Sequence, residues 1–475
     1  MKKRVHQPHL KLPLCLTCII SATFSSYVFA ADPFLGVIRL NDLKGNVSFL
    51  PAGESTWVDA QRNRPLIPGD MVWSDAGALS SLQFVNATLC QGSNSLVSIA
   101  NNNDYLVQLE LTQGTLDLFV SKQDSDQEYE IDTPNLVFHT YAPGHYRITV
   151  NSDDKTTTVN VVEGDGEVYG VDAAYFINNE DAYVFKGDEL KGFKSVNSNA
   201  KDEQSRWCTN QLPADHNATQ STNYVGYSDL DYHGNWEKIK DYGLVWSPKG
   251  VDSGWAPFQD GHWVWVEPWG WNWVGDEPWG FAPYHYGRWA KIDKKWYWVP
   301  GQSAQAPIYM PAAVSFLMVD DSSIVAWFPL AVGDVYIPPF YVSFEYLTSI
   351  NVTNSLMLKA DIKVAYDDST KMKPYLYQTD PSAITALTTA AFADSMQSKK
   401  LNIALSKDLM DSGFNSPVAA VVPNQYSVQG ERHGTLSVPP NELIGERTLA
   451  LNHAYTSPIG IENKASLLTK DPGRV

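Results

Sequence analysis

The chain has 475 residues, of which 44% are apolar and 19% are charged, so it can bury a sizeable core and global disorder is excluded. Its 53 acidic residues outnumber its 35 basic residues and give a net charge of −18. Such an acidic chain would repel phosphate groups, so we expect neither nucleic acid nor an anionic membrane surface as a partner.

The N-terminus has the pattern of a cleavable secretory signal peptide over residues 1–30. Basic residues between Lys2 and Lys11 precede a short apolar run at 12–24, and Val28-Phe29-Ala30 forms a small-x-small cleavage site. The run is shorter than the ~20 apolar residues that span a bilayer. We expect cleavage after Ala30 and a periplasmic or secreted mature chain without a transmembrane span. Retention of the segment as a membrane anchor is the alternative.

Residues 34–190 alternate apolar and polar positions between clusters of Gly, Asn, Asp and Pro, which is typical of short strands. The strand-like runs lie at 40–49, 79–84, 96–99, 105–111, 116–120, 136–138, 146–150, 156–162 and 183–185. No run has a long apolar stripe with the 3.6-residue period of a helix. We therefore predict a mainly β protein that begins with an antiparallel β-sandwich or roll.

Four motifs follow one another in the first module. They are Pro68-Gly69-Asp70, Leu109-Glu110-Leu111-Thr112-Gln113-Gly114-Thr115-Leu116, Ile131-Asp132-Thr133-Pro134 and Val161-Val162-Glu163-Gly164. With them, residues 36–170 resemble the FecR domain family, although Asn86-Ala87-Thr88 replaces its usual Asp-Gly-Ser turn and Gly144-His145 its usual Gly-Thr. The resemblance implies a periplasmic β domain. The signalling role of that family also needs a membrane-spanning helix and a cytoplasmic anti-sigma segment, which we expect here only if the N-terminal segment is retained.

Residues 191–230 are rich in Asn, Ser, Asp, Gln and Thr, which is typical of a polar linker, and we expect Trp207 to dock onto a neighbouring domain. Signal cleavage would leave Cys90 and Cys208 as the remaining cysteines. In an oxidising compartment they could form one disulfide. Two unpaired thiols are the alternative, because one cysteine lies in a predicted strand and the other in the linker.

A second module, predicted for residues 231–350, is dense in tryptophan. Twelve of the 16 tryptophans lie between Trp236 and Trp298. Three pairs are two residues apart, at 263 and 265, 271 and 273, and 296 and 298, which on a strand puts both rings on one face. Pro-Trp-Gly units at 268–270 and 278–280 predict turns. The pattern indicates small hairpins, each with an aromatic face.

Two interpretations of these rings are compatible with the pattern. The rings could pack together as the core of a small sheet, each burying about 150–250 Å². A subset could instead stay exposed and stack on sugar rings. The candidates for that aromatic binding surface are Trp263, Trp265, Trp269, Trp271, Trp273, Trp279, Tyr284, Tyr286, Trp289, Trp296 and Trp298.

The same module carries unusual strings, among them Gly-His-Trp at 261–263, Tyr-His-Tyr-Gly-Arg-Trp at 284–289 and Trp-Tyr-Trp-Val-Pro-Gly at 296–301. With these strings, residues 232–430 resemble an uncharacterised Trp/Tyr-rich domain that often follows FecR domains in Gram-negative bacteria. The resemblance implies a protein of the bacterial envelope and carries no activity.

Carboxylates beside tryptophan are found in glycosidases, and Asp260, Glu267, Asp276 and Glu277 lie among the aromatic residues. We favour the alternative that they cap turns and solvate the module. The chain has no Gly-x-Ser-x-Gly elbow, Walker loop or dinucleotide fingerprint. We therefore expect no enzyme and no cofactor.

Three histidines of the same module, His233, His262 and His285, are too far apart in sequence for a local metal motif. We expect them to form structural hydrogen bonds and expect no metal. Arg288, between a glycine and a tryptophan, is predicted to stack on an indole ring.

Residues 351–417 are predicted to be a mixed segment with short helices at 381–392, capped by Asp380, and at 406–410. Residues 418–475 lose periodicity and are predicted to form an extended or disordered tail.

From all this we expect an exported, non-enzymatic envelope protein that binds or scaffolds through its aromatic module. Its partner would be an envelope polysaccharide, peptidoglycan or an envelope protein. A periplasmic signalling component of FecR type is the alternative, and a glycoside hydrolase is a minor one.

Overall fold

Strands dominate the computed structural model, and the prediction of a mainly β fold is confirmed. The structure describes residues 36–461 except 122–126, 141, 198–200, 213–223, 302–304, 320–322, 358, 431–435, 446–447 and 452–459. The predicted signal peptide and its cleavage site lie outside the described residues, as does the end of the predicted tail.

The first module is a stack of short strands, as the alternating pattern predicts. They are β1 (Ile38–Lys44), β2 (Val47–Leu50), β3 (Val58–Asp59), β4 (Pro65–Leu66), β5 (Met71–Ser74), β6 (Leu79–Gln83), β7 (Ala87–Gln91), β8 (Ser95–Asn102), β9 (Leu106–Val120), β10 (Glu128–Asp132), β11 (Val137–Thr140), β12 (Gly144–Asn151), β13 (Thr156–Glu163), β14 (Gly166–Tyr169), β15 (Ala174–Ile177), β16 (Ala182–Lys186) and β17 (Lys194–Ser195).

Two sheets share the long strand β9. One sheet has the order β4-β1-β6-β7-β9-β12-β13-β16-β17. The other has the order β3-β2-β5-β8-β9-β10-β11-β14-β15. Neighbouring strands are antiparallel except β9 and β10, which are parallel. Apolar side chains such as Leu82, Leu109 and Leu118 fill the core of this sandwich.

The strand β9 changes sheets at Gly114. Residues up to Gln113 pair with β8, and those from Gly114 onward pair with β12. Gly114 has a φ of +93°, and a Cβ there would lie 2.0 Å from the Oγ of Ser95. Only glycine combines this backbone conformation with such a close approach. The sequence predicts two strands here, at 105–111 and 116–120, because the bend interrupts the alternation.

The segment predicted as a polar linker contains the short helix α1 (Glu203–Thr209). Asp202 caps this helix by accepting a hydrogen bond from the amide of Ser205, and Arg147 of β12 forms an ion pair with Asp202. Cys208 is bonded to Cys90 of β7, and both cysteines are buried. The middle of the linker is therefore attached to the sandwich.

The tryptophan-dense module follows as two small sheets and two short helices. These elements are α2 (Asp229–His233), β18 (Gly234–Ile239), β19 (Gly243–Pro248), β20 (Gly261–Val266), β21 (Gly270–Gly275), α3 (Ala282–His285), β22 (Arg288–Ile292) and β23 (Lys295–Val299). Strands β20 and β21 form a hairpin, and the other four strands form a sheet with the order β18-β19-β23-β22.

The remaining elements form one more four-stranded sheet, which we name the third sheet, and a set of helices. They are β24 (Val314–Met318), β25 (Ile324–Pro329), α4 (Phe344–Asn354), α5 (Lys359–Asp367), β26 (Thr385–Thr388), α6 (Thr389–Ala393), α7 (Ser398–Leu401), α8 (Lys407–Ser412), β27 (Phe414–Ser416) and α9 (Gln425–Gln429). One hydrophobic core contains the tryptophan hairpin together with residues of this sheet and its helices.

The two helices predicted in this region have different outcomes. The one predicted at 406–410 is α8, whose N-cap is Ser406. The one predicted at 381–392 is wrong in its first half, because residues Thr385–Thr388 form β26 and complete the third sheet beside β25. The helix α6 starts only after Thr388, which caps it.

A buried polar contact joins the sandwich to the tryptophan-dense module. The guanidinium of Arg39 is 1% exposed; it lies 2.6 Å from Asp229 and donates to the amide oxygen of Asn63. Asn63 in turn donates to the carbonyls of Gly275 and Glu277. The hairpin end near residue 275 is therefore held against β1.

The described part of the predicted tail returns to the sandwich. Leu443 packs with Trp57 and Trp73, Thr448 donates to Glu110, and the amide of Leu451 donates to Glu130. We name residues 437–445 and 448–451 the strap. The strap includes a 3-10 helix at Asn441–Leu443, and α9 also lies within the predicted tail, so the described tail is not extended throughout. The contacts of the strap attach it to the first module.

Candidate functional site

The tryptophan hairpin β20–β21 has the geometry that the two-residue spacing predicts. Trp263 lies opposite Trp273 and Trp265 lies opposite Trp271, so all four rings share one face. The ring centroids in these pairs are 5.5 and 5.7 Å apart, and the rings meet edge to face, the arrangement that aromatic quadrupoles favour. The same spacing puts Trp296 and Trp298 on one face of β23, with Trp298 opposite Trp289.

All eleven candidate rings are buried. Their exposed fractions are 1% for Trp263, 5% for Trp265, 5% for Trp269, 6% for Trp271, 0% for Trp273, 2% for Trp279, 0% for Tyr284, 3% for Tyr286, 0% for Trp289, 5% for Trp296 and 0% for Trp298. The module therefore does not present an exposed row of rings that could stack on sugars. The alternative interpretation, in which the rings form a core, describes their packing.

Residues far away in the sequence cover the aromatic face of the hairpin. Phe392 of α6 lies 5.4 Å from Trp263 and 4.6 Å from Trp271, and Phe316 of β24 lies 5.1 Å from Trp263, measured between ring centroids. These covering residues could not be found from the spacing of the tryptophans. The strongest signal for them is the mainly apolar run of residues 314–318, which needs a partner surface.

Several indole N–H groups are used inside the core. The indole of Trp246 donates to the carbonyl of Leu230, that of Trp289 to Pro283, and that of Trp298 to Tyr286. Buried indoles usually find such acceptors when their role is structural. These contacts fix the small sheet and the turns around it.

The hairpin turn, which contains a cis Glu267–Pro268 peptide, stands where three open clefts meet. Of the four hairpin tryptophans, Trp265 and Trp271 keep more exposed surface than Trp263 and Trp273 because they lie next to this turn. The turn is therefore the place where the aromatic core reaches solvent.

The first of these clefts, the tip groove, is mainly apolar. Its cavity volume is about 30 Å³, and its lining includes Trp269, Trp271, Tyr336, Phe340 and Val418. An apolar groove with few polar groups suits an apolar ligand segment.

A second cleft, the Asn cleft, lies between the sandwich and the turn and has a cavity volume of about 330 Å³. Three successive amide side chains at the end of β8, Asn101, Asn102 and Asn103, line it together with Glu267 and Trp269. The oxygen of Asn103 accepts hydrogen bonds from the amides of Tyr105 and Leu106, which orders this wall. Amides, a carboxylate and an indole edge offer both donors and acceptors beside apolar surface.

The acidic candidates are dispersed into separate contacts. Asp260 pairs with Lys399 at 2.9 Å, and Asp276 lies 3.8 Å from His262. Burial raises the pKa of Glu277 to about 8, and the hydroxyl of Tyr284 donates to its carboxyl at 2.7 Å.

The three histidines lie in separate places. His285 is buried, its Nδ1 donates to the carbonyl of Met310 at 2.8 Å, and burial lowers its pKa to about 3, so the ring is neutral. His262 contacts Gln61, and His233 ends α2. Within the described residues, no group of three or more His, Cys, Asp or Glu side chains is placed to hold a metal ion.

Arg288 differs from its prediction of stacking on an indole. Its guanidinium is fully buried and donates to Asn351 at 3.0 Å and to the carbonyl of Gly287 at 2.8 Å. The amide of Asn351 also donates to the carbonyl of Tyr336, so this cluster ties β22 to α4.

The middle of the chain is similar to a known protein family. Residues 227–334 match a family of unknown function, DUF6600. The prediction of an uncharacterised domain over the tryptophan-dense module is confirmed to that extent, and the match ends well before residue 430. It does not reach residues 36–170, so the resemblance to FecR domains stays a prediction. None of the curated proteins matches the chain.

Two solved structures, at 1.65 and 2.50 Å resolution, are similar to part of the chain. Both are of a Parabacteroides distasonis ATCC 8503 protein with the provisional description of anti-sigma factor. They are 11% and 12% identical to this chain over 28% of its length, with a TM-score of 0.25. The matched part spans 61% of those proteins, and so distant a likeness carries no argument about function. Among the described residues, no helix has the length and apolar character needed to cross a membrane.

Proposed function

We propose that the protein is an exported, non-enzymatic envelope protein that binds a glycan in the Asn cleft. The buried tryptophan core is the rigid support, and the hairpin turn brings Glu267 and Trp269 to the cleft. The observation that carries the proposal is the lining of this cleft, which has a cavity volume of about 330 Å³: three asparagine amides, the carboxylate of Glu267 and the indole of Trp269. Sugar hydroxyls need paired donors and acceptors, and sugar C–H groups need an apolar contact.

Two features favour ligand binding over catalysis. The carboxyl of Glu277 is buried and receives a hydrogen bond from Tyr284, while Asp260 is paired with Lys399. Hydrolysis of a glycosidic bond needs two carboxyl groups that face one another across the bond. Of the four acidic candidates, Glu267 is the one that lines the Asn cleft.

The test is retention of the mature protein on insoluble peptidoglycan and envelope polysaccharide, with tryptophan fluorescence as a second readout. We expect Asn102→Ala and Trp269→Leu to lose at least half of the retention of the unsubstituted protein. The matched control is Asn179→Ala, which changes an exposed asparagine after β15 and should retain full binding. No retention on any glycan would refute the proposal, as would equal retention by Asn102→Ala.

The apolar tip groove supports a second candidate, the binding of an apolar segment of an envelope protein. Aromatic and proline side chains line it, and such grooves take extended apolar peptides. A library of displayed peptides should then be enriched in apolar sequences by the unsubstituted protein and not by Phe340→Asp. Similar enrichment by both proteins would refute this candidate.

A further inference from the structure

The third cleft at the hairpin turn, the Arg cleft, contains a buried cation without a full set of partners. Its cavity volume is about 30 Å³, and Arg64, Asp70 and Trp265 line it. Arg64 is 3% exposed, and among the described residues its Nε and Nη1 have no hydrogen-bond acceptor. Its Nη2 donates to the carbonyl of Val428, and its guanidinium lies 4.5 Å from the ring centre of Phe49.

A second donor on the wall of the same cleft is also unused. Trp265 is 5% exposed, and within the described part of the chain its indole N–H has no acceptor. A buried donor without an acceptor is destabilising, and more so when it is charged. Three donor nitrogens on two side chains that line one cleft can therefore be matched by a ligand that offers only acceptors.

Three acidic side chains, Glu54, Asp70 and Glu267, line the Arg cleft, and backbone amides engage the first two. Both carboxyl oxygens of Asp70 accept backbone hydrogen bonds, from Ala52 at 2.8 Å and from Ile67 at 2.9 Å. Burial raises the pKa of Asp70 to about 7, so near neutral pH it carries only part of a negative charge. The carboxyl of Glu54 accepts the amide of Ile461 at 2.9 Å. Near neutral pH, Asp70 therefore gives Arg64 only part of a counter-charge, whereas a buried guanidinium is normally matched by a full one.

We propose that the Arg cleft binds the carboxylate group of a ligand through Arg64 and the indole N–H of Trp265. A carboxylate supplies the acceptors and the negative charge together, and it suits the fork of a guanidinium. The source is either an acidic sugar or the C-terminus of a peptide. This inference goes beyond the proposed function, because it concerns another cleft and another ligand chemistry.

The experiment compares acids with neutral partners of the same shape by titration calorimetry on the full-length protein. One arm uses galacturonate and its methyl ester, and the other uses acetyl-Ala-Ala with a free or an amidated C-terminus. We expect the acid of one arm to bind at least about tenfold more tightly than its neutral partner. The arm that binds identifies the source. Equal affinities within both arms, or no binding in either, would overturn the proposal.

Variants then locate the site. Arg64→Gln should abolish the preference for the acid, and Arg64→Lys should keep part of it, since an ammonium retains the charge and loses the fork. Arg62→Gln, two residues away and outside the cleft lining, is the matched control and should bind like the unsubstituted protein. If Arg64→Gln does not fold, Trp265→Phe decides, because it removes the indole N–H and keeps an aromatic ring at this position; it should weaken acid binding about threefold to tenfold. Unchanged binding by Trp265→Phe would then count against the site.

The outcome is separable from that of the proposed function. Retention on polysaccharide depends on Asn102 and should survive Arg64→Gln if a neutral glycan is the ligand of the Asn cleft. Loss of glycan retention by Asn102→Ala with unchanged acid binding supports two sites.

Discussion

Single buried polar residues carry much of the sandwich's response to pH. Asp132 of β10 is fully buried, and burial, followed by the nearby charge of Glu130, raises its pKa to about 9. In an unfolded chain an aspartate has a pKa near ~3.9. Between these two values the folded protein binds more protons than the unfolded one, so the free energy of unfolding falls as pH rises through this window.

Asp132→Asn removes this titration while keeping an oxygen that can accept from Gln108, as Asp132 does at 2.8 Å. We expect the variant to gain stability relative to the unsubstituted protein by a few kcal/mol at pH 8.5, and to show little difference at pH 4.5. Urea unfolding at both pH values measures this. Asp154→Asn, at an exposed turn of the same sandwich, should show the same effect at both pH values. A stability difference for Asp132→Asn that does not depend on pH would contradict the assignment.

The burial of the aromatic residues can be tested at one position that the spacing of the tryptophans does not reveal. Phe392 is fully buried and packs on Trp263, Trp271 and Trp327. Phe392→Ala should lower the free energy of unfolding by about 3–5 kcal/mol, because it leaves a cavity among rings that cannot easily collapse. The control is Phe414→Ala, whose ring is 67% exposed and whose loss should cost less than ~1 kcal/mol. If both variants cost the same, the rings of the hairpin are not held by this residue.

At the level of elements, the spacing of residues predicts which side chains share a face of a strand, but not which distant residues cover that face. The two-residue spacing correctly predicts that Trp263 and Trp265 share a face of β20, because side-chain direction on a strand depends only on position along the chain. What lies on that face depends on α6, more than 100 residues later, and no local pattern carries that information. The same holds for the Arg cleft, where Arg64 and Trp265 meet from two modules.

Strand bounds show a similar limit. The alternation finds most strands of the sandwich, yet it splits β9 into two because Gly114 interrupts the pattern at the crossing between sheets. The mistaken helix at 381–392 has a related cause. Ala and Thr at 385–388 have no strong strand pattern of their own, and pairing with β25 determines their conformation.

The helix α1 offers a test of how the linker is held. Cys208 of α1 is bonded to Cys90 across 118 residues of chain. Closing a loop of this length restricts the unfolded state, so reduction should lower stability by about 2–5 kcal/mol. We expect dithiothreitol to lower the Tm of the unsubstituted protein and not that of the Cys90→Ser, Cys208→Ser double variant. Hydrogen exchange should rise in residues 203–209 on reduction. Equal Tm values with and without reductant would show that the helix is held by its other contacts.

On the scale of the whole molecule, the strap near the end of the described chain contacts the first module. The described strap returns from the third sheet to the first module, where the amide of Leu449 donates to the carbonyl of Thr133 and Ser48 donates to the carbonyl of Ser437. Composition predicts an extended tail because the segment has few apolar residues and no period. Hydrogen bonds of its backbone and of Thr448, together with the packing of Leu443, hold it in place, and composition reveals none of these contacts.

That leucine tests whether the strap belongs to the cooperative unit. Leu443 is 5% exposed and closes a small cluster over Leu50, Trp57 and Trp73. Leu443→Ala should therefore lower the free energy of unfolding by about 2–4 kcal/mol, while Leu451→Ala, which changes a half-exposed leucine of the same strap, should cost less than ~1 kcal/mol. The strap contacts the sandwich, and the chain that leads into it comes from the third sheet. We therefore expect fluorescence and far-UV circular dichroism to report one shared unfolding transition, which Leu443→Ala shifts as a whole. If Leu443→Ala leaves that transition in place and only makes residues 437–451 susceptible to protease, the strap opens independently and stabilises nothing beneath it.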